Sequence, residues 1–398
     1  MAKILSNPFF IYSMSFAVAL CTYSLGWSGL YPSLTITLLV FFGITFVMCF
    51  FGGAILQKFG KIQYFKIPPS RNRVSILIFI WVGYLAEFAY NRGIPLLLLL
   101  RGDTGFEYTE FGIPTFHVLL VTLNGFATVY LFHQLISDFN KTTLIQFILM
   151  IIPSVLIMNR GMLLMSLTSC LFVYILSLNR IRFRTLVKIS LLCLVLFYVF
   201  GLLGNIRQTR GRSFSSDIIL DISKSTQEFR DSFVPNVYFW SYLYVSSPLA
   251  NLQNTINESP PAREEWMPFI NYELLPDFIS KRTGNLLMVD KRYPVRVEGW
   301  LTASTFYSGS YVYLGWSGIV VMYLFFLITT FLYPFILKKD KYYVTGLAIL
   351  NTLVLYNTFD NMYAFTGLCF QLIYPVLFSY IKIPRVRILT VSPAVSKE

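Results

Sequence analysis

Leu34–Leu56 reads LTITLLVFFGITFVMCFFGGAIL, twenty-three residues without a single charge. A helix needs roughly 20 apolar residues to cross the hydrocarbon core of a bilayer. A helix that is apolar on every side has no face to offer water. The stretch therefore predicts a membrane span. Working outward from it, similar runs recur near residues 9–26, 74–91, 115–136, 143–159, 161–178, 186–204, 311–335, 343–359 and 362–381. With 34–56 they make about ten spans, several of them slightly short. Ile94–Leu100 is apolar but too short to cross, and reads as an interfacial or re-entrant segment. The expected fold class is an all-α polytopic membrane protein. Its parts are helices over 1–204, a large polar loop over 205–306, helices over 307–381 and a tail over 382–398.

Composition agrees with that class. Of 398 residues, 56% are hydrophobic and 13% charged, where a soluble domain is about a quarter charged. Mean hydropathy is +0.62. The net charge of +13 does not mark a nucleic-acid binder. Basic residues of membrane proteins collect on the cytoplasmic side for topological reasons, and no aromatic–basic reading module is present. Cys21, Cys49, Cys170, Cys193 and Cys369 all lie in apolar runs without metal-ligand spacing, and predict small packing residues. Lys3 precedes the first apolar run, but many spans follow it, so a first transmembrane helix is expected rather than a cleaved signal peptide.

The basic residues orient the chain. One face receives Lys3, then Lys58, Lys61, Lys66, Arg71 and Arg73, then Lys141. It also receives Arg180, Arg182, Arg184 and Lys188, then Lys338, Lys339 and Lys341, and last Lys382, Arg385, Arg387 and Lys397. Asp138, Asp340 and Glu398 are the acids on that face. The large loop carries eleven basic residues against eleven acids. The asymmetry of the short connections places both termini in the cytoplasm and the large loop outside.

That loop is too varied in composition for disorder, and its length suits a subdomain of a few helices. Val237–Leu252, rich in Tyr and Trp but broken by Ser246, Ser247 and Pro248, reads as lying on the membrane or half-entering it.

Several polar residues are candidates for chemistry. Arg101 opens RGDTGFEYTEFG, which brings Asp103, Glu107 and Glu110 to the outer surface. Its readings are a solvated connection or a rim with an anion-binding arginine and carboxylate bases. Arg160, in Asn159-Arg160-Gly161, stands between two spans with almost no linker. It must either snorkel to lipid phosphate or grip the phosphate of a lipid-linked substrate. Arg207, Arg210 and Arg212 leave the seventh span on the outside, against the charge bias. An anionic ligand explains them, and so does pairing with loop acids or anionic lipid. Glu87 in YLAEFAY is an intramembrane carboxylate, neutral or paired. His117 and His133, sixteen residues apart, read as helix-packing residues. Asp360 sits at the outer junction of the last two spans. The sequence holds no P-loop and no nucleotide-sugar domain, so an enzyme of this shape needs a substrate already activated and delivered through the membrane.

With these features on view, the chain resembles O-antigen or capsular repeat-unit polymerases of the Wzy type. The resemblance covers nearly all of the topology, including the long loop before the last three spans. Locally it rests on Asn159-Arg160-Gly161 opening a span, on NVYFWSYLYVSSPLANLQNTI at 236–256, and on TASTFYSGSYVYLGWSGI at 302–319. Arg101 to Gly112 also matches an arginine–ten residues–glycine spacing seen in some members, of which the large loop holds no second copy. The resemblance implies a GT-C-like membrane glycosyltransferase of the bacterial inner membrane. Such an enzyme moves a growing glycan from undecaprenyl pyrophosphate onto another lipid-linked repeat unit. It implies Arg101, Arg160, Arg207, Arg210 and Arg296 as contacts to lipid pyrophosphate or glycan, and Glu298, Asp103 or Glu107 as the base. No cofactor or metal is expected, since arginines suffice for the leaving group. Expected partners are the flippase and chain-length regulator of the same pathway, together with membrane lipid. The rival expectations are an O-antigen ligase with the same donor and a lipid-linked glycan transporter.

Overall fold

A computed structural model describes residues 2–60, 62–67, 73–101, 111–178, 183–208, 215–259, 264–337 and 340–380. Its main helices are α1 (Pro8–Tyr23), α2 (Ile36–Lys58), α3 (Arg73–Tyr90), α4 (Pro95–Leu100), α5 (Phe116–Ser137), α6 (Lys141–Leu156) and α7 (Arg160–Ser177). Then follow α8 (Phe183–Gln208), α9 (Asp217–Ile222), α10 (Phe239–Glu258), α11 (Asp277–Leu287), α12 (Ser308–Ile336) and α13 (Tyr343–Tyr356). The last, α14 (Thr366–Tyr380), contains a 3₁₀ turn at Phe370–Leu372.

Helix α2 shows what surrounds the bundle. Leu38, Phe42, Thr45, Cys49 and Leu56 recur at helical spacing and are buried. Ile36, Val40, Ile44, Val47 and Phe51 recur on the other side and are exposed. A helix apolar on its buried and its outward face alike is solvated by lipid, not water. Among the described residues, α2, α5, α7 and α12 are long and apolar enough to cross a membrane. Shorter apolar helices stand at Pro8–Tyr23, Val74–Tyr90, Lys141–Leu156, Cys193–Ile206, Tyr343–Tyr356 and Thr366–Tyr380. Every apolar run read from the sequence falls on one of these helices. The architecture is that of an α-helical membrane protein.

Helix α13 lies at the centre, buried from Tyr343 to Val354, with α7 and α1 packed on it and α5 packed on α7. Polar side chains hold these apolar surfaces together. Ser169 and Thr352 share a hydrogen bond at 2.7 Å, and Asn351 Nδ2 donates to the Ser6 carbonyl at 2.8 Å. Each is a bond for which the lipid phase offers no competing partner. Cys49 and Cys170 are buried in this packing, but Cys21 is exposed, so the packing role expected of it is not met.

The large loop is ordered where described. Helix α10 is not laid on the outside of the bundle. Trp240, Leu243, Ser247, Leu249 and Leu252 are buried, and the helix packs against α1, α8 and α12. Asn251 anchors the returning chain: its Nδ2 donates to the carbonyls of Leu301 and Ala303 at 2.7 Å each, and its Oδ1 accepts from Val297 N at 2.9 Å. The loop then docks on the α13–α14 turn. Ser304 N donates to Phe359 O at 2.9 Å, and Phe306 N to Asn357 O at 3.0 Å.

Helix α11 is seated on the bundle by its own unpaired N-terminal amides. Asp277 N donates to Ala364 O at 2.7 Å, and Phe278 N to Thr366 Oγ1 at 2.8 Å. Behind it, Glu273 is buried, with Asn361 Nδ2 donating to its carbonyl at 2.8 Å and to its Oε2 at 3.0 Å. Burial pushes this carboxyl up from 4.5 to about 8, with Asp360 and Asp277 adding to the effect while the Asn361 bond and Lys291 oppose it.

Candidate functional site

At the loop end of the bundle, the C-terminal turn of α3 meets the N-termini of α5 and α7. Glu87 of α3 is fully buried. His117, the second residue of α5, places Nδ1 at 3.1 and 2.9 Å from the two Glu87 carboxylate oxygens. The histidine side chain retains 24% exposure, and that remainder faces open space. Nδ1 is directed at the carboxylate, and Nε2 has no hydrogen-bond partner among the described residues.

The backbone is shaped around this ring. Gly112 has φ +111°, and a Cβ added there would run into the His117 imidazole. Phe111 packs edge-on against the same ring at 5.7 Å and 85°. Thr115, the residue capping α5, has φ +72°, and Met158, just before α7, has φ +58°. A β-branched residue with positive φ is a genuine outlier. Strain of this kind persists where the surroundings over-determine it, often at a ligand site. Gly112→Ala is expected to push His117 off Glu87. Any glycosyl-transfer activity should then fall at least ~10-fold, measured at a donor concentration well above KM. Activity unchanged in that variant would mean the ring position is immaterial.

Helix α7 starts from Asn159, whose side chain accepts a hydrogen bond from Met162 N at 3.1 Å. Arg160 is the first residue of the helix and is exposed, with no ion pair to any other described residue. Arg160, Asn159, Met158 and His117 line one cavity of about 360 Å³, with Phe111 at its edge. A second cavity of about 320 Å³ shares His117 and Asn159 and is closed by Lys281, Arg282 and Asp277 of α11 and by Thr366. Arg282 is held in place: its Nη2 donates to Thr115 Oγ1 at 2.9 Å, and its guanidinium lies 4.2 Å from the Phe278 ring centre. Lys291 approaches Asp277 only at 3.8 Å. The two cavities, which share one histidine, thus present three cations. Guanidinium and ammonium groups at a membrane surface hold phosphate oxygens. A neutral imidazole backed by a carboxylate accepts a proton.

Of the residues expected from the sequence, Arg160 stands in this site. Arg101 caps α4 and is exposed, and it lines neither cavity. Arg296 is exposed on the returning chain and Glu298 is half-buried beside it, with its carbonyl accepting from Leu301 N at 3.1 Å; neither lines the cavities. Arg207 falls in the last turn of α8, and its side chain lies outside the description. Asp103, Glu107 and Arg210 lie outside the described residues. Among the described residues no cluster of His, Cys, Asp and Glu is suited to a metal ion.

Sequence reasoning read His117 only as a helix-packing residue and assigned no role to Lys281 or Arg282. His133 packs with Nε2 at 2.9 Å from the Phe65 carbonyl, while His117 both joins α5 to α3 through Glu87 and lines the cavities. A signal for His117 was present: Glu87 needed a partner at the outer end of the third span, and His117 begins the next span at the same end. Nothing local marks Lys281 or Arg282, which the docking of α11 brings over the site. Comparison with protein-family models, with curated proteins and with solved structures finds no match to this chain. The functional reading therefore rests on the geometry and on the resemblance.

Proposed function

We propose that the chain is a membrane glycosyltransferase that polymerises undecaprenyl-pyrophosphate-linked oligosaccharide repeat units into O-antigen or capsular polysaccharide. The observation that carries this reading is the pair of cavities at the loop end of the bundle, where Arg160 lines one, Lys281 and Arg282 line the other, and His117 lines both. On this reading all ten apolar helices cross the bacterial inner membrane in a GT-C-like bundle. Both termini are cytoplasmic and the loop end faces outward, as the basic connections favour. A lipid pyrophosphate enters with its prenyl chain in the bilayer and its anionic head between the cations, where the apolar outward faces of the helices leave the chain in lipid. Arg160 holds the leaving pyrophosphate, and the cations of α11 hold the phosphate of the second lipid-linked unit. Preorganised cations of this kind stabilise charge as it develops on the leaving oxygen. The flippase and chain-length regulator of the same pathway are the partners this role needs.

Purified protein in liposomes, given an undecaprenyl-pyrophosphate-linked repeat unit and no energy source, is expected to yield a ladder of longer lipid-linked glycans. Transfer only to a lipid A core acceptor would replace polymerase with O-antigen ligase. Lipid movement without any new glycosidic bond would replace catalysis with transport.

A further inference from the structure

We propose that His117 Nε2 is the base that takes the proton of the attacking sugar hydroxyl, with buried Glu87 as its positioning residue. This rests on the transferase reading above and deepens it. Among the described carboxylates, Glu298 stands away from the cavities, and Glu87 is fully buried behind the imidazole and cannot touch substrate. Asp277 lines only the cavity with Lys281 and Arg282, and among the described residues His117 alone of the titratable bases lines both that cavity and the one with Arg160. A group that removes a proton from one substrate as the other loses its leaving group must face both.

Its partner settles which nitrogen works. Nδ1 lies 2.9 and 3.1 Å from the Glu87 oxygens, so an N–H there donates to the carboxylate and the lone pair is on Nε2. The carboxylate fixes ring orientation and stabilises the imidazolium that forms, without itself needing the proton. Among the described residues, the charged groups around the ring are Glu87 from α3, Arg160 from α7, and Asp277, Lys281 and Arg282 from α11.

The step balances with no further reactant. The acceptor hydroxyl oxygen forms its bond to the anomeric carbon of the donor while its proton passes to Nε2. The bond from the anomeric carbon to the pyrophosphate oxygen breaks, and its electron pair leaves with undecaprenyl pyrophosphate against Arg160. Water at the cavity mouth then takes the proton from the imidazolium.

The test uses the full chain in liposomes with a lipid-linked repeat unit, and undecaprenyl pyrophosphate alone as the binding probe. His117→Gln is expected to lower extension by about 10²- to 10⁴-fold with probe affinity unchanged. The pH profile of the wild-type rate should differ from that of the residual rate of His117→Gln. A His117→Gln rate within about threefold of wild type, or a residual rate with the wild-type pH profile, overturns the proposal. Should this variant lose probe binding, Glu87→Gln decides, because its amide oxygen still accepts from Nδ1. A lowered rate with probe binding intact supports the dyad, and a wild-type rate and pH profile overturns it. Failure of the transferase reading looks different, since the wild-type protein would then extend nothing at any pH.

Discussion

Arg160→Ala is expected to abolish chain extension, with a loss of at least ~100-fold, while the protein still inserts and binds detergent or lipid as wild type does. The magnitude follows from the role: a cation acting mainly on the leaving group in the transition state contributes on the order of 3 kcal/mol or more. The residue is exposed at the first position of α7, and its loss opens no hole in the apolar packing. Arg160→Lys should recover only part of the activity, since a point charge replaces a two-pronged guanidinium. Measured as lipid-linked glycan length in liposomes, full polymer from Arg160→Ala would remove the arginine from the phosphate site. Snorkelling to bulk lipid phosphate would then be its whole role.

Glu273→Gln is expected to change how stability depends on pH, and the sign can be worked out. Burial raises this carboxyl from 4.5 to about 8. Below pH 4.5 the group is protonated whether the chain is folded or not, so it costs nothing. Between 4.5 and about 8 the folded chain holds a proton that the unfolded chain releases, so stability falls as pH rises. The limiting slope is about 1.4 kcal/mol per pH unit, and the loss levels off above pH 8. A neutral glutamine carries no such penalty, and its amide oxygen can still accept from Asn361 Nδ2 in the space that Gly309 leaves open. The melting temperature of the wild-type protein in detergent should decline from about pH 5 to pH 8, and that of Glu273→Gln should stay nearly level. The two should differ most at alkaline pH, by a few kcal/mol. Parallel curves for the two proteins would show that the carboxyl is ionised throughout and that Lys291 and Asn361 outweigh burial.

Only part of the site was legible in the sequence. Asn159-Arg160-Gly161 was readable because its meaning is local: a capping side chain, a cation and a helix start in three consecutive residues. Glu87 was readable as an oddity, since a carboxylate in an apolar run demands a partner. Which partner it takes was not readable, because a lone histidine at a helix start carries no sign of the carboxylate thirty positions earlier. Lys281 and Arg282 sit in a loop whose acids balance its bases, and no charge pattern separates a phosphate ligand from a solvated lysine there. They come to line the cavity through Asp277 and Phe278, whose amides bind Ala364 and Thr366 and so seat α11 there. Val237–Leu252 shows the same limit from another side. Its serines and tyrosines read as an interfacial helix, yet Tyr242, Ser246 and Ser247 are buried, and Asn251 and Trp240 find their partners on the returning chain and on α8.

The sequence by itself determined the helices, their apolar character and their order, because a span is a local property: some twenty residues either can or cannot leave water. It also determined which connections carry the charge that orients such helices. Only the tertiary structure decided which polar residues meet. His117 and Glu87 are thirty residues apart, and Arg160 and Arg282 more than a hundred, yet His117, Arg160 and Arg282 line the two adjoining cavities and Glu87 pairs with the histidine. Proximity of that kind is set by how α3, α5, α7 and α11 pack, and packing depends on the shapes of whole surfaces that no short stretch of sequence contains.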